Sequence, residues 1–221
     1  MDAQTFWILA HVLLFVYWLG ADIGVFISSL QIINRNHSME TRLAIAKILG
    51  IINSIPGFAS QLMLVVGLQL AANLGLSPIS GPWLWLAWIG TAVWIVVAKA
   101  SERRRGTPLG RNLANLDLLI RVLLIVALTA AALWSFVTGT PFVENWLALK
   151  ALIFAYVLAC GIGIRFAFAS FGPALARMAK EGFNPETEAA LRWPVIWVKP
   201  WVIALWTGLI VAAFVGIGQS I

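Results

Sequence analysis

The side chains in this chain that could do chemistry are few, and they stand in apolar surroundings. His11 lies in the run Trp7-Ile8-Leu9-Ala10-His11-Val12-Leu13-Leu14-Phe15-Val16-Tyr17-Trp18-Leu19-Gly20-Ala21-Asp22, and it is one of two histidines in 221 residues. A neutral imidazole is a strong iron ligand, and an ionisable ring placed in hydrocarbon is expected to face the protein interior. Asp22, eleven residues on, returns to almost the same helix face, with Phe15 and Trp18 between them. The other polar groups inside apolar runs are Asn53, Gln61, Gln69, Asp117, Arg121, Lys150 and Arg165. Asp117 and Arg121 are four apart and pair on one helix face. Lys150 enters its run to about the depth of His11 at 1.5 Å per residue, which sets the two to face one another; snorkelling to the headgroups is the competing expectation for the lysine. Asp22 and Arg165 reach comparable depth nearer the other end, where an ion pair would let both be tolerated.

The elements that must hold these groups follow from composition. Only 11% of residues are charged and 61% are hydrophobic, and the mean hydropathy is +0.91. Apolar runs recur at lengths that cross about 30 Å of hydrocarbon. The fold class is therefore all-α, a polytopic transmembrane helical bundle forming one domain over 1–221. Six spans are expected over 5–33, 44–73, 83–100, 113–138, 145–170 and 195–218.

The connections alternate in charge. Asn34–Leu43 carries Arg35 and Arg42, Glu102–Arg111 carries Arg103, Arg104, Arg105 and Arg111, and Ser170–Trp193 carries Arg177, Lys180 and Arg192, whereas Leu74–Pro82 and Thr138–Asn145 carry no Lys or Arg. Basic loops stay in the cytoplasm, so both termini are expected outside it, in a bacterial inner membrane. The net charge of +6 follows from those loops and gives no reason to expect nucleic-acid binding; the lipid bilayer is the expected partner, with anionic lipid at the basic loops. The first apolar run is too long for a cleavable signal peptide and has no basic n-region. Cys160 stands alone, which excludes an intramolecular disulfide.

Twelve tryptophans sort by position. Trp7, Trp83, Trp85, Trp146, Trp193 and Trp197 sit near span ends, as anchors in an aromatic belt. Trp18, Trp134 and Trp206 are deeper, placed either to pack helices or to line a flat cofactor. Gly20, Gly24, Gly161, Gly163, Gly208, Gly216 and Gly218 allow close helix approach, with room for a ligand suggested beside Gly161 and Gly163. Ala174–Lys180 reads as a short amphipathic surface helix. A parallel internal repeat is hinted at by Trp83-Leu84-Trp85-Leu86 and Trp146-Leu147-Ala148-Leu149.

The pattern His11…Trp18-Leu19-Gly20, the segment Ile52-Asn53-Ser54-Ile55-Pro56…Gly67-Leu68 and Trp146-Leu147-Ala148-Leu149-Lys150 resemble motifs of the HemJ-type protoporphyrinogen oxidases and the related CopD-like copper-resistance membrane proteins. The resemblance implies an oxidoreductase with a haem b, His11 as the axial ligand to the metal, and Lys150 beside it as the catalytic or substrate-facing cation. Trp18 and Arg165 join them as candidate cofactor-binding residues. The chain departs from that pattern in having Ala148 where the family's segment has a histidine, and six spans where four are usual.

Two other readings stay open. Copper needs soft ligands, and His11, Met63 and Cys160 lie on three different helices. A cofactor-free accessory or scaffold subunit would use its buried polar groups to hold helices together. A tetrapyrrole, a redox partner and a second copy of the chain are the partners these readings admit, and four clustered zinc ligands are absent. His37, in a polar loop, reads as a solvated surface histidine. Pro56 and the Lys199-Pro200 step give slight support to a transporter with broken helices. The orientation is directly testable: cysteines introduced at Ser77 or Thr140 should react with an impermeant thiol reagent added outside intact cells, and those at Ser38 or Thr107 should not. The reverse labelling would invert the topology.

Overall fold

The computed structural model describes residues 3–77 and 79–218, and these residues contain helices but no strand. In chain order they are α1 (Ala3–Ile32), α2 (Met39–Ile52), α3 (Ser54–Asn73), α4 (Pro82–Arg103), α5 (Pro108–Thr138), α6 (Asn145–Ala167), α7 (Phe171–Glu181) and α8 (Pro185–Ile217). Six elements are long and apolar enough to cross a membrane: α1, α2 continued by α3, α4, α5, α6 continued by α7, and α8. Each corresponds to one of the six expected spans.

The largest departure is at α8, which begins ten residues before the expected 195. Its start is built from local chemistry that hydropathy does not register. Asn184 accepts from the Thr187 N–H while the Thr187 hydroxyl reaches back to Asn184, Pro185 opens the first turn, and Glu186 and Glu188 lie at the positive end of the helix dipole. The expected long connection Ser170–Trp193 is therefore mostly helical, comprising α7, a short turn and the first two turns of α8. α8 also runs on through Pro194 and Pro200, so the Lys199-Pro200 step does not interrupt it. Breaks inside these elements fall at Asn53 between α2 and α3 and at 168–170 between α6 and α7, and Pro56 follows the first in the opening turn of α3, where its missing N–H leaves no gap.

The spans pack in sequence order, α1 on α3, α3 on α4, α4 on α5, α5 on α6 and α6 on α8, and α8 returns to α1. The contact between α1 and α8 is the least extensive of these. Close approach of α6 and α8 depends on glycine. A Cβ on Gly208 would lie 2.7 Å from Val157 Cγ2, and one on Gly163 would overlap the Trp201 indole; Gly163 and Trp201 also line a groove of about 540 Å³ with Ile162, Phe166 and Trp197, so there is room beside the expected glycine. Trp18 from α1, Ala59 and Met63 from α3, Val157 and Cys160 from α6, and Leu205 and Leu209 from α8 form the central core. Outward faces are apolar, with Ile89, Val96, Val126, Trp134 and Phe214 exposed, as contact with hydrocarbon requires.

One end of the bundle carries the basic connections, and α2 and α7 close it. Arg42, expected in a loop, is in α2 and fully buried. It donates to Glu188 Oε1 at 2.9 Å, to the Asn34 carbonyl at 3.0 Å and to Met178 Sδ at 3.3 Å, with its guanidinium 4.9 Å from the centre of the Phe183 ring. Helices α1, α2, α7 and α8 are thereby tied through one side chain. Removing it strands Glu188 beside an apolar cluster of Ile32, Leu49, Met178 and Leu191. Arg42→Ala should cost about 3–5 kcal/mol, read as a lowered melting temperature in mild detergent, and Arg42→Met/Glu188→Leu should recover most of it.

Candidate functional site

The polar residues inside the spans separate into three groups. The first is centred on Asp117, on the buried stripe of α5. Its carboxylate accepts from Trp94 Nε1 of α4 at 2.8 Å, from Arg121 Nε at 3.1 Å and from Arg165 Nη1 of α6 at 2.9 Å. Arg165 also donates to the Ala114 carbonyl at 2.9 Å. The pairing of Asp117 with Arg121 expected from their spacing is present, and two further helices converge on the same carboxylate.

The second group corrects an expectation. Asp22 does not pair with Arg165: its Oδ2 accepts from Trp206 Nε1 of α8 at 2.8 Å, and the Phe26 ring meets Trp206 edge-on at 5.6 Å. Arg165 is instead committed to Asp117. Depth alone admitted either partner, and the ring of helices decided it by setting α5 beside α6 and α8 beside α1.

The third group is His11 with Lys150, in the half of the bundle with uncharged connections. His11 Nδ1 is buried and has no hydrogen-bond partner. The ring lies against α3 at Gly67, where a Cβ would come 3.5 Å from His11 Cε1. Lys150 is near enough for its charge to be felt at His11. A Cβ on Gly216 would come 2.6 Å from Lys150 Nζ. The ammonium thus rests on the last turn of α8, where carbonyls lack intrahelical partners and a cation is favoured. The Trp146 ring is 5.8 Å away. Four helices, α1, α3, α6 and α8, enclose this centre.

The remaining candidates fall elsewhere. Trp18 is buried seven residues below His11, about 10 Å along α1, and packs edge-on against Phe154 at 6.0 Å. Arg165 lies fifteen residues from Lys150, about 22 Å along α6, too far to grip the same small ligand. Trp134 faces outward, and Trp206 is engaged with Asp22, so neither lines the His11 centre. His37 meets Gln31 Oε1 at 3.1 Å in a connection. Gln61, singled out in the sequence as a polar residue in an apolar run but given no role there, is fully buried on α3 with Nε2 unpartnered. Two grooves of about 540 Å³ each run along α6, and neither is lined by His11 or Lys150.

These features define a six-span helical membrane bundle with an internal polar centre. Family models, curated proteins and solved structures compared with the chain gave no match.

The Asp117 group should be structural. Asp117→Asn leaves two guanidiniums without their carboxylate inside a span, and should lower stability by about 3 kcal/mol or more. Arg165→Gln removes a partly exposed partner and should cost about 1 kcal/mol or less. Melting of the purified proteins in detergent checks the ranking, and equal losses would contradict it.

Proposed function

We infer that this chain is a haem-b-binding redox protein of the membrane, similar in kind to the HemJ-type porphyrinogen oxidases, with His11 as axial ligand and Lys150 as the neighbouring cation. The observation that carries this reading is the buried His11 Nδ1 without a hydrogen bond. An unpaired donor or acceptor inside a membrane bundle is costly, and a neutral imidazole nitrogen held this way is the ligand type that haem iron takes.

Two residues here have the chemistry that such a group takes. Gly67 leaves the imidazole close against α3, and Lys150 supplies a cation of the kind that meets a propionate or a substrate carboxylate. A bound haem would supply the electron transfer, and the protein would set its position and polarity. Lys150 is oriented by the end of α8 and by Trp146, so its ammonium stays within the bundle. Trp18 is packed in the core against Phe154 and has no part in this centre. Arg165 has no part in it.

Copper finds less support. The described residues contain no group of three or more His, Cys, Asp or Glu placed to share an ion, and Met63 and Cys160 are packed in the core around Trp18. By the charge of its connections, the end bearing His11 faces away from the cytoplasm, which suits a bacterial inner-membrane enzyme meeting an amphipathic substrate.

An absorption spectrum of the protein purified in mild detergent tests the reading. A Soret band is expected. His11→Ala should abolish or strongly shift it while leaving a folded, membrane-inserted protein, because six apolar spans remain. Lys150→Ala should reduce haem content or activity less completely, and His37→Ala should change nothing. Haem retained unaltered in His11→Ala would refute the ligand assignment.

A further inference from the structure

The seam between α1 and α8 holds an acid without a counter-ion. Asp22 Oδ2 accepts from Trp206 Nε1 at 2.8 Å, a neutral donor, and Oδ1 has no hydrogen bond among the described residues. Arg165, the cation expected to answer it, is committed to Asp117. The two acids therefore differ in kind. Asp117 meets two guanidiniums, whereas Asp22 has no ion pair among the described residues.

The helix ends fix the depth of this bond. Asp22 stands ten residues, about 15 Å, from the end of α1 at Ile32, where α1 packs on Met178 and Leu191 at the basic end of the bundle. Trp206 stands eleven residues, about 16 Å, from Ile217, the opposite end of the bundle in α8. The two distances together match the roughly 30 Å of a hydrocarbon layer, with the Asp22 carboxyl near its middle. Its surroundings are apolar: Trp18, one turn away on α1, and Leu205 of α8 belong to the central core.

No other charge replaces the missing cation. Helices α2, α3 and α8 pack against α1, and α3 contains no charged residue. On α2, Lys47 is exposed and lies five residues before Ile52, the residue that faces Gly24. On α8, Lys199 is exposed and lies seven residues, about 10 Å, before Trp206. The remaining charges of these helices, Glu40, Arg42, Glu186, Glu188 and Arg192, belong to the basic end. His11 is eleven residues away along α1, about 16 Å.

An unanswered carboxylate halfway across hydrocarbon is costly. One proton on Oδ1 removes the charge while Trp206 goes on donating to Oδ2. We propose that Asp22 is a reversible proton-binding site in the α1–α8 seam. Uptake adds one proton from water to Oδ1 and release returns it; nothing is oxidised or reduced. The seam suits exchange, because α1 and α8 make the least extensive contact between neighbouring spans in the ring and Asp22 is only half-buried. A metal cation would need further oxygen ligands, and the Ser28 hydroxyl is already bonded to the Gly24 carbonyl. The site is independent of His11 and of any haem.

Labelling of the full-length protein in mild detergent with dicyclohexylcarbodiimide tests it. This apolar reagent reacts with a protonated carboxyl: the acid proton moves to a carbodiimide nitrogen, the oxygen adds to the central carbon, and rearrangement leaves a stable N-acylurea with no group lost. Peptide mass mapping should find the adduct on Asp22 and not on Asp117, in an amount that falls as the pH is raised. Asp22→Asn keeps an acceptor for Trp206 and should lose the adduct entirely. Infrared spectra give a second measurement. The C=O band of a protonated carboxyl should be present in wild type and missing from Asp22→Asn, whether or not the reagent reaches the seam. Absence of that band, labelling that does not fall with rising pH, or protection of Asp22 by sodium at constant ionic strength overturns the proposal. Mapping and the pH series use wild-type protein alone, so they decide the matter even if the variant fails to fold.

Discussion

A charge inside hydrocarbon has to be answered by the protein itself, because no water is there to answer it, and in this bundle the heaviest demand falls on Asp117. Its carboxylate is met from α4 by Trp94, from its own helix by Arg121 and from α6 by Arg165. Apolar packing between helices gains little in a membrane, since lipid tails are as apolar as leucine. Three donor side chains directed at one buried anion therefore do what a hydrophobic core does in water: they select which helices lie together. Arg42 performs the equivalent task at the basic end, joining α1, α2, α7 and α8 through contacts that no neutral side chain of its size could make.

Seen against these two clusters, the His11 centre is unusual in what is missing. Asp117 and Asp22 have polar partners from distant parts of the chain; Arg42 Nε and Gln61 Nε2 are buried without a partner as well, but Arg42 is held through its other nitrogens. His11 has a buried nitrogen with none, a glycine against its ring and a cation nearby. Structural polar groups in a bilayer are expected to be satisfied within the protein, and a group left unsatisfied while its surroundings are arranged around it is where a ligand is expected to complete the set.

The six spans were legible because hydropathy is a property of each segment alone. The pair Asp117 and Arg121 was legible for a similar reason, since four residues along one helix fixes their contact before any tertiary structure exists. Arg165 was not. Its depth matched Asp22 as well as Asp117, and only the order of helices around the ring separates the two. The start of α8 escaped because Pro185 to Arg192 is polar and reads as connection, although Asn184 and Thr187 carry a capping box within it. Arg42 escaped because a charged residue between two apolar runs is ordinarily solvated, and its burial depends on α7 and on Glu188, 146 positions away. That His11 and Lys150 share a depth was legible from their positions in the runs; that Gly67 and Gly216 lie against them was not.

The bond between Asp22 and Trp206 joins residues 184 positions apart, and this has a bearing on biosynthesis. Chains emerge from the ribosome N-terminus first, so α1 enters the membrane with an aspartate whose partner has not been made. Four further spans must be made before the one that carries Trp206 arrives. Throughout that interval Asp22 lacks its Trp206 partner, and a nascent chain arrested before α8 would leave that acid without it. Such a truncated product is the form that membrane quality control is best equipped to recognise.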